Sequence, residues 1–222
     1  MIKTVDVSFC GQDFVFASDR AVYWPGRRTL LVADLHFGKA ATFRAHGLPV
    51  PGGTTAKDLL RLSTLVGCFD PQRILFLGDL LHAKPAHVVT RKLLEWRRAH
   101  ADVAMELVVG NHDRSAGRPA EEIGIYVHEE PLVECGIAFE HEPPPSDDAP
   151  PDRPTIAGHV HPTVRLQDFD GSGVRVPCFV IEHNLMIVPA FGSFTGGWKM
   201  DRAAGRRLFV SAAGRVIELK GA

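Results

Sequence analysis

Four apolar runs in this 222-residue chain stop abruptly at residues able to bind metals or move protons. Leu31-Val32-Ala33 runs into Asp34-Leu35-His36, and Ile74-Leu75-Phe76-Leu77 into Gly78-Asp79. Leu107-Val108-Val109 is followed by Gly110-Asn111-His112-Asp113, and Thr155-Ile156-Ala157 by Gly158-His159-Val160-His161. Carboxylate, amide and imidazole are the ligands that hard and borderline divalent cations accept. A short apolar run closed in this way reads as a buried strand that delivers a side chain at its carboxyl end, where α/β folds keep their chemistry. Bringing the four ends together builds one site around Asp79.

The elements that must position these residues alternate. Strands are expected at 5–9, 13–17 and 21–24, forming an edge hairpin region, and at 29–33, 74–77 and 105–109. Between the last three fall helices: one or two turns over 37–45, then a helix capped by Thr54 or Thr55 and ended by Gly67 and Pro71, then one over 85–99. The second helix carries Leu59, Leu60, Leu62, Leu65 and Val66 at helical spacing, and the third turns Val88, Val89, Leu93, Leu94 and Trp96 inward. Strand–helix alternation calls for a largely parallel sheet covered by helices. From Tyr126 onward the pattern is mostly strands: 125–129, 132–140, 155–158, 163–169, 174–181, 184–188, 207–211 and 215–219. The fold class expected is α/β, a four-layer αββα sandwich of two mixed β-sheets flanked by helices, with residues 1–222 as one domain. A Pro- and Asp-rich stretch at about 143–154 reads as a flexible surface loop.

Composition narrows the function classes. A formal net charge of -1 gives no global positive field of the kind nucleic-acid binders often carry. Cys10, Cys68, Cys135 and Cys178 lack paired spacing and are expected to be reduced and mostly buried, not a zinc or redox motif. No signal pattern opens the chain and no run reaches the roughly 20 apolar residues of a spanning helix, so a cytoplasmic location without membrane contact is expected.

Taken in order, Asp-x-His, Gly-Asp, Gly-Asn-His-Asp, a lone histidine and Gly-His-x-His resemble the calcineurin-like metallophosphoesterase superfamily from about Thr29 to Pro162. The resemblance implies a dinuclear centre, with Asp34, His36 and His161 on one divalent ion, Asn111, His141 and His159 on the other, and Asp79 bridging. A shared carboxylate damps the repulsion of two closely spaced cations, which together clamp the attacking and leaving oxygens and make hydroxide available at neutral pH. His112 would then serve the leaving group, with Asp113 orienting its ring. The lone histidine is read as His141, with His128 as its rival. His82, Lys39, Arg44 and Arg114 are candidates for substrate contact, whereas His46, His87, His100 and His183 read as surface residues.

Asp34-Leu35-His36-Phe37-Gly38-Lys39, the loop from Phe43 to Thr55 and the stretch from Pro189 to Gly197 extend the resemblance to small bacterial DNA-ligase-associated phosphoesterases (PdeM type). That group implies a DNA-repair endonuclease or phosphodiesterase working beside a ligase, a helicase and an exonuclease, with manganese favoured over iron or zinc. Arg27-Arg28, Arg97-Arg98, Lys199, Arg202 and Arg206-Arg207 are candidate backbone contacts, and Trp198 a candidate base platform. A small-molecule nucleotide or cyclic-nucleotide phosphoesterase, and a non-catalytic scaffold, are the alternative readings. The N-terminal hairpin and C-terminal strands are candidates for pairing in a homodimer.

Overall fold

The computed structural model describes residues 2–84, 86–144, 152–167 and 172–220. The first sheet has seven strands in chain order: β1 (Thr4–Phe9), β2 (Gln12–Ala17), β3 (Ala21–Trp24), β4 (Thr29–Val32), β5 (Arg73–Leu77), β6 (Ala104–Val108) and β7 (Tyr126–His128). Its first four strands run antiparallel and β4 to β7 run parallel. Tight turns suffice for the former, whereas parallel neighbours need crossovers. Those are supplied by α1 (Lys39–Ala45) with α2 (Thr54–Phe69), by α3 (His87–Ala99), and by the segment containing the short α4 (Asn111–Ala116).

A second mixed sheet of nine strands holds β8 (Leu132–Glu134), β9 (Ile137–Glu140), β10 (Thr155–Ala157), β11 (Pro162–Gln167), β12 (Gly173–Glu182), β13 (Leu185–Ile187), β14 (Trp198–Lys199), β15 (Arg206–Ala212) and β16 (Arg215–Leu219). Its path runs β14-β11-β12-β13-β10-β9-β8, and the long β12 also pairs with β15, which pairs with β16. Within it β10 lies parallel to both β9 and β13. Alternation along the strands sends one set of side chains between the sheets and the other outward. Leu31, Leu75 and Leu77 face Phe139, Ile156, Phe179 and Phe209 in the inner layer, while Leu30, Ile74 and Phe76 pack against Leu62, Leu65 and Leu93 of the helices. Phe16 stacks on Phe179 with ring centroids 4.3 Å apart and meets Phe209 edge-on. Each such ring taken from water contributes about 1.5–3 kcal/mol.

Two mixed sheets flanked by helices are what the strand and helix pattern anticipates; several local details differ. Gly53, with φ 86°, caps α2 without a side-chain bond, in place of Thr54 or Thr55, and the helix runs through Gly67 to end at Asp70. Leu60 and Val88 point to solvent, because the apolar stripe of each helix is narrower than its count of apolar residues. The run 132–140 is split into a hairpin at Cys135-Gly136, both with positive φ. Cys10, Cys68 and Cys135 are exposed and only Cys178 is buried, since three of the four occupy a turn, a hairpin tip or an outward helix position. Pro85, the last part of the expected strand 163–169 and residues 145–151 of the Pro/Asp-rich stretch lie outside the described residues.

Candidate metal centre and active site

Strands β4, β5, β6, β9 and β10 all present their carboxyl ends at one edge of the double sheet, and the turn after each carries a candidate residue. The backbone there is unusual. Asp34, His36, Asp79, His159 and His161 adopt φ of 54°, 47°, 50°, 65° and 49°. Non-glycine residues rarely enter this left-handed region, and surroundings that over-determine them are needed to keep them there. Such surroundings are present. Asp34 N–H donates to the Gly78 carbonyl at 3.2 Å and His36 N–H to the Asp79 carbonyl at 2.8 Å, so the first two turns brace each other. Phe191 and Gly192 donate to the carbonyls of Ala33 and Asp34, placing the 191–197 segment directly beside the first turn.

Glycines allow the turns to meet. A Cβ on Gly110 would overlap the Asp79 carboxylate and its backbone nitrogen, and one on Gly78 would overlap the His141 ring. Gly158 is equally confined by Ala33, Asp34 and the Leu77 carbonyl.

The side chains converge tightly. His161 Nε2 lies 3.2 Å from Asp34 Oδ1 and 3.3 Å from His36 Nε2, which is 3.6 Å from Asp79 Oδ2. His141 Nδ1–H donates to the Leu77 carbonyl at 3.0 Å. That bond fixes the tautomer and leaves the Nε2 lone pair facing Asn111 Oδ1 at 3.0 Å, His159 Nδ1 at 3.1 Å and Asp79 Oδ1 at 3.4 Å. Asp34 and Asp79 are 0% and 2% exposed. Two buried carboxylates and several lone pairs turned on one another are costly unless a cation sits among them. The oxygen and imidazole donor set therefore fits divalent ions. Within metal-holding reach of one another lie Asp34, His36 and His161; Asp34, Asp79 and His141; His141, Glu142 and His159; and His36, His82 and His112.

The electrostatics agree with a site built for neutral imidazoles. His36 is pushed down to about 2, first by burial and then by Lys39 and the neighbouring histidines. His82 is pushed down to about 4 by burial, His112 and Lys39. Burial likewise raises the Asp79 carboxyl against the opposing pull of His141 and the His112 amide, and lowers the half-buried Lys39 ammonium. Histidines in the unfolded chain protonate near 6.5. For His36 and His82 the unfolded state thus binds protons between about pH 6.5 and 4 that the folded state refuses, so the contribution of these two rings to stability falls as pH falls. The urea midpoint of chelator-treated protein is expected to drop from pH 7.5 through 6 to 5; a flat midpoint would contradict this assignment.

Of the two lone-histidine candidates, His141 lies in the cluster, whereas His128 on β7 pairs with Glu106 at 2.7 Å. Asp113 does not hold the His112 ring. Its oxygens accept from the amides of Leu81 and Gly110, which tie α4 to the turn after β5, and the His112 Nδ1–H instead donates to the His82 carbonyl at 3.2 Å. The His82 ring also stacks on His112 at 4.7 Å, and its buried Nδ1 has no partner among the described residues. Arg44 donates to the carbonyls of Val50 and Pro51, bracing the loop after α1. Arg114 lines a cleft beside His141 with four glutamates. His100 is half-buried against Trp96 and Ser63, not simply solvated. Most of the proposed arginine track is occupied by local partners: Arg27 with Glu134, Arg28 with Asp70, Arg206 with Glu182 and Arg207 with Glu218, while Arg97 donates to carbonyls. Glu142, adjoining His141, and Arg20, reaching the Gly192 carbonyl, were not legible as site residues because no motif marks them.

The family model for calcineurin-like phosphoesterases matches residues 27–175. The solved structure of the nuclease MPE from Pseudomonas putida is 39% identical, with a TM-score of 0.85 over 98% of this chain and 100% of that one. The phosphoesterase Yfce from E. coli is 12% identical with a TM-score of 0.42, covering 86% of this chain and 97% of that one. Comparison with curated proteins gave no match.

Proposed function

The chain belongs to the calcineurin-like phosphoesterase family, and from that premise we propose that it is a dinuclear-metal phosphodiesterase that cleaves DNA. The observation that carries this reading is the lone-pair cluster around His141 Nε2 and Asp79, which needs cations to be stable. In this reading Asp34, His36 and His161 would hold one ion and Asn111, His141 and His159 the other, with the Asp79 carboxylate available to both. When bound, the ions supply a nucleophile at neutral pH and neutralise charge on the phosphoryl oxygens. His112 brings the leaving oxygen its proton. Its Nδ1–H is committed to the His82 carbonyl, so Nε2 is the atom that meets substrate. The His112 backbone N–H donates to Asp79 Oδ1 at 2.9 Å, which ties proton donor and bridging carboxylate to one spacing. His82 steadies the ring by stacking, and Lys39 adds positive charge near Asp34 and Asp79.

DNA as substrate draws support from the likeness to a nuclease over nearly the whole chain. The reading extends to manganese as the metal, to a cytoplasmic DNA-repair setting beside a ligase, helicase and exonuclease, and to pairing of copies through the edge strands β1 and β16. Among the described residues no helix is long and apolar enough to cross a membrane. The test is manganese-dependent hydrolysis of bis-p-nitrophenyl phosphate, p-nitrophenyl phosphate, 2′,3′-cyclic nucleotides and single-stranded DNA. Preference for diesters, with DNA cleavage that falls steeply as salt rises, is the expected result. Rapid turnover of a small nucleotide with intact DNA would replace this reading by the small-molecule one.

A further inference from the structure

The metal cluster has a cleft on either flank, and the two differ in charge. On the His141 side a cleft of about 200 Å³ is lined, among the described residues, by Glu129, Glu130, Glu140 and Glu142 with Arg114 as the one cation. On the His161 side a cleft of about 220 Å³ is lined by Arg20 and Arg175, with Thr163, Thr195 and Gly197 and with no carboxylate among its described lining residues. A nucleic-acid strand carries a negative charge at every nucleotide, so the first cleft repels it and the second attracts it. Building on the reading of the chain as a DNA phosphodiesterase, we infer that the strand leaves the metal centre over His161, and that the Arg20–Arg175 cleft seats the phosphate next to the scissile one.

The backbone around that cleft is built to sit close. Gly197 crosses against Thr163 and the His161 carbonyl, where a Cβ would collide, and Trp198 N–H donates to the same carbonyl at 3.0 Å. Arg20, half-buried, is held by Gly192, whose amide donates to the Asp34 carbonyl. The guanidinium that would meet the second phosphate is thereby tied to the turn that holds the first. Just beyond Gly197, Trp198 on β14 is 71% exposed, and an indole at the mouth of a phosphate cleft is a stacking platform for an unpaired base. Lys199 beside it pairs with Asp201 at 2.6 Å, which leaves the two arginines as the principal cations of this path.

The test compares wild type with Arg175→Ala, Arg175→Lys and Arg114→Ala in the full-length manganese-loaded protein. Binding of a fluorescent single-stranded oligonucleotide is followed over a salt series, and kcat and KM are measured for that oligonucleotide and for bis-p-nitrophenyl phosphate, which has no second phosphate. For Arg175→Ala, KM for the oligonucleotide is expected to rise about tenfold more than for the small diester. Its log–log salt slope should become shallower by about 0.7, the value of one phosphate contact on a single strand, and lysine should restore it. Arg114→Ala should move the slope less. Wild-type cleavage and binding that Arg175→Ala leaves unaltered, or a larger effect from Arg114→Ala, would overturn the subsite alone. A wild type that hydrolyses the small diester yet neither binds nor cuts the oligonucleotide would overturn both the subsite and the DNA reading.

Discussion

Replacing His112 by alanine is expected to slow DNA cleavage by about 10²–10⁴-fold, the usual worth of a positioned proton donor, while metal content stays at the wild-type level. The ring reaches the cluster from α4, and its fixed contacts are the His82 carbonyl, the stacked His82 ring and the His36 ring 5.0 Å away. The backbone N–H that supports Asp79 is retained in alanine. In the proposed assignment, loss of the side chain therefore removes a chemical group without removing a ligand. With bis-p-nitrophenyl phosphate the loss should be much smaller, because p-nitrophenolate departs as a stable anion and gains little from an acid. Single-turnover rates on both substrates, with metal analysis of the same preparations, check this. Equal losses on both substrates, or depletion of one ion, would show His112 to be acting through the metals.

The second large effect is steric. In Gly110→Ala a Cβ enters the space of the Asp79 carboxylate and backbone nitrogen, and backbone cannot yield as a flexible side chain can. Either Asp79 shifts or the turn that presents Asn111 and His112 does. A displacement near 1 Å in such a constellation costs about 10²-fold in rate, and overpacking costs about 1–3 kcal/mol. Gly78→Ala combines a collision with the His141 ring with a φ of 75° that alanine resists. Gly67 provides the contrast. It lies in the body of α2 with nothing within 4 Å of an added Cβ, so Gly67→Ala is expected to raise stability by about 0.5–1 kcal/mol and leave turnover alone. Paired denaturant titrations and kcat measurements separate the three variants. Gly110→Ala with wild-type turnover would contradict the tight packing of the turns.

How far the sequence reveals this arrangement depends on the kind of signal. The strands ahead of Asp34, Asp79, Asn111 and His159 were legible because apolar runs broken by Gly or Asp carry local, periodic information. The short α4 was not, since six residues beginning at Asn111 are too few to show a helical period. His112 was legible from its motif, but its partner was not. Asp113 is its neighbour in sequence, yet the carboxylate turns away to bind two backbone amides, and the ring is held by a carbonyl 30 residues earlier. Arg20 lies at the end of a turn in the N-terminal meander with nothing around it in sequence to suggest a site, and only the pairing of distant strands brings it near His161. Conversely, the arginine pairs that read as a nucleic-acid track are mostly matched by acids from other elements, which linear composition cannot show. Five left-handed site residues were also invisible, because Asp and His carry little warning of such a conformation until the surrounding turns fix it.

In the proposed reading Asp79 joins two ions in one centre, and the number of ions the protein holds depends on that carboxylate. Wild-type protein loaded with manganese, freed of excess metal and analysed by elemental mass spectrometry is expected to hold two ions per chain. Asp79→Asn, which keeps the shape but removes the bridging charge, should hold one or none while remaining folded by circular dichroism. One ion per chain in the wild type, or both retained in folded Asp79→Asn, would contradict the dinuclear account.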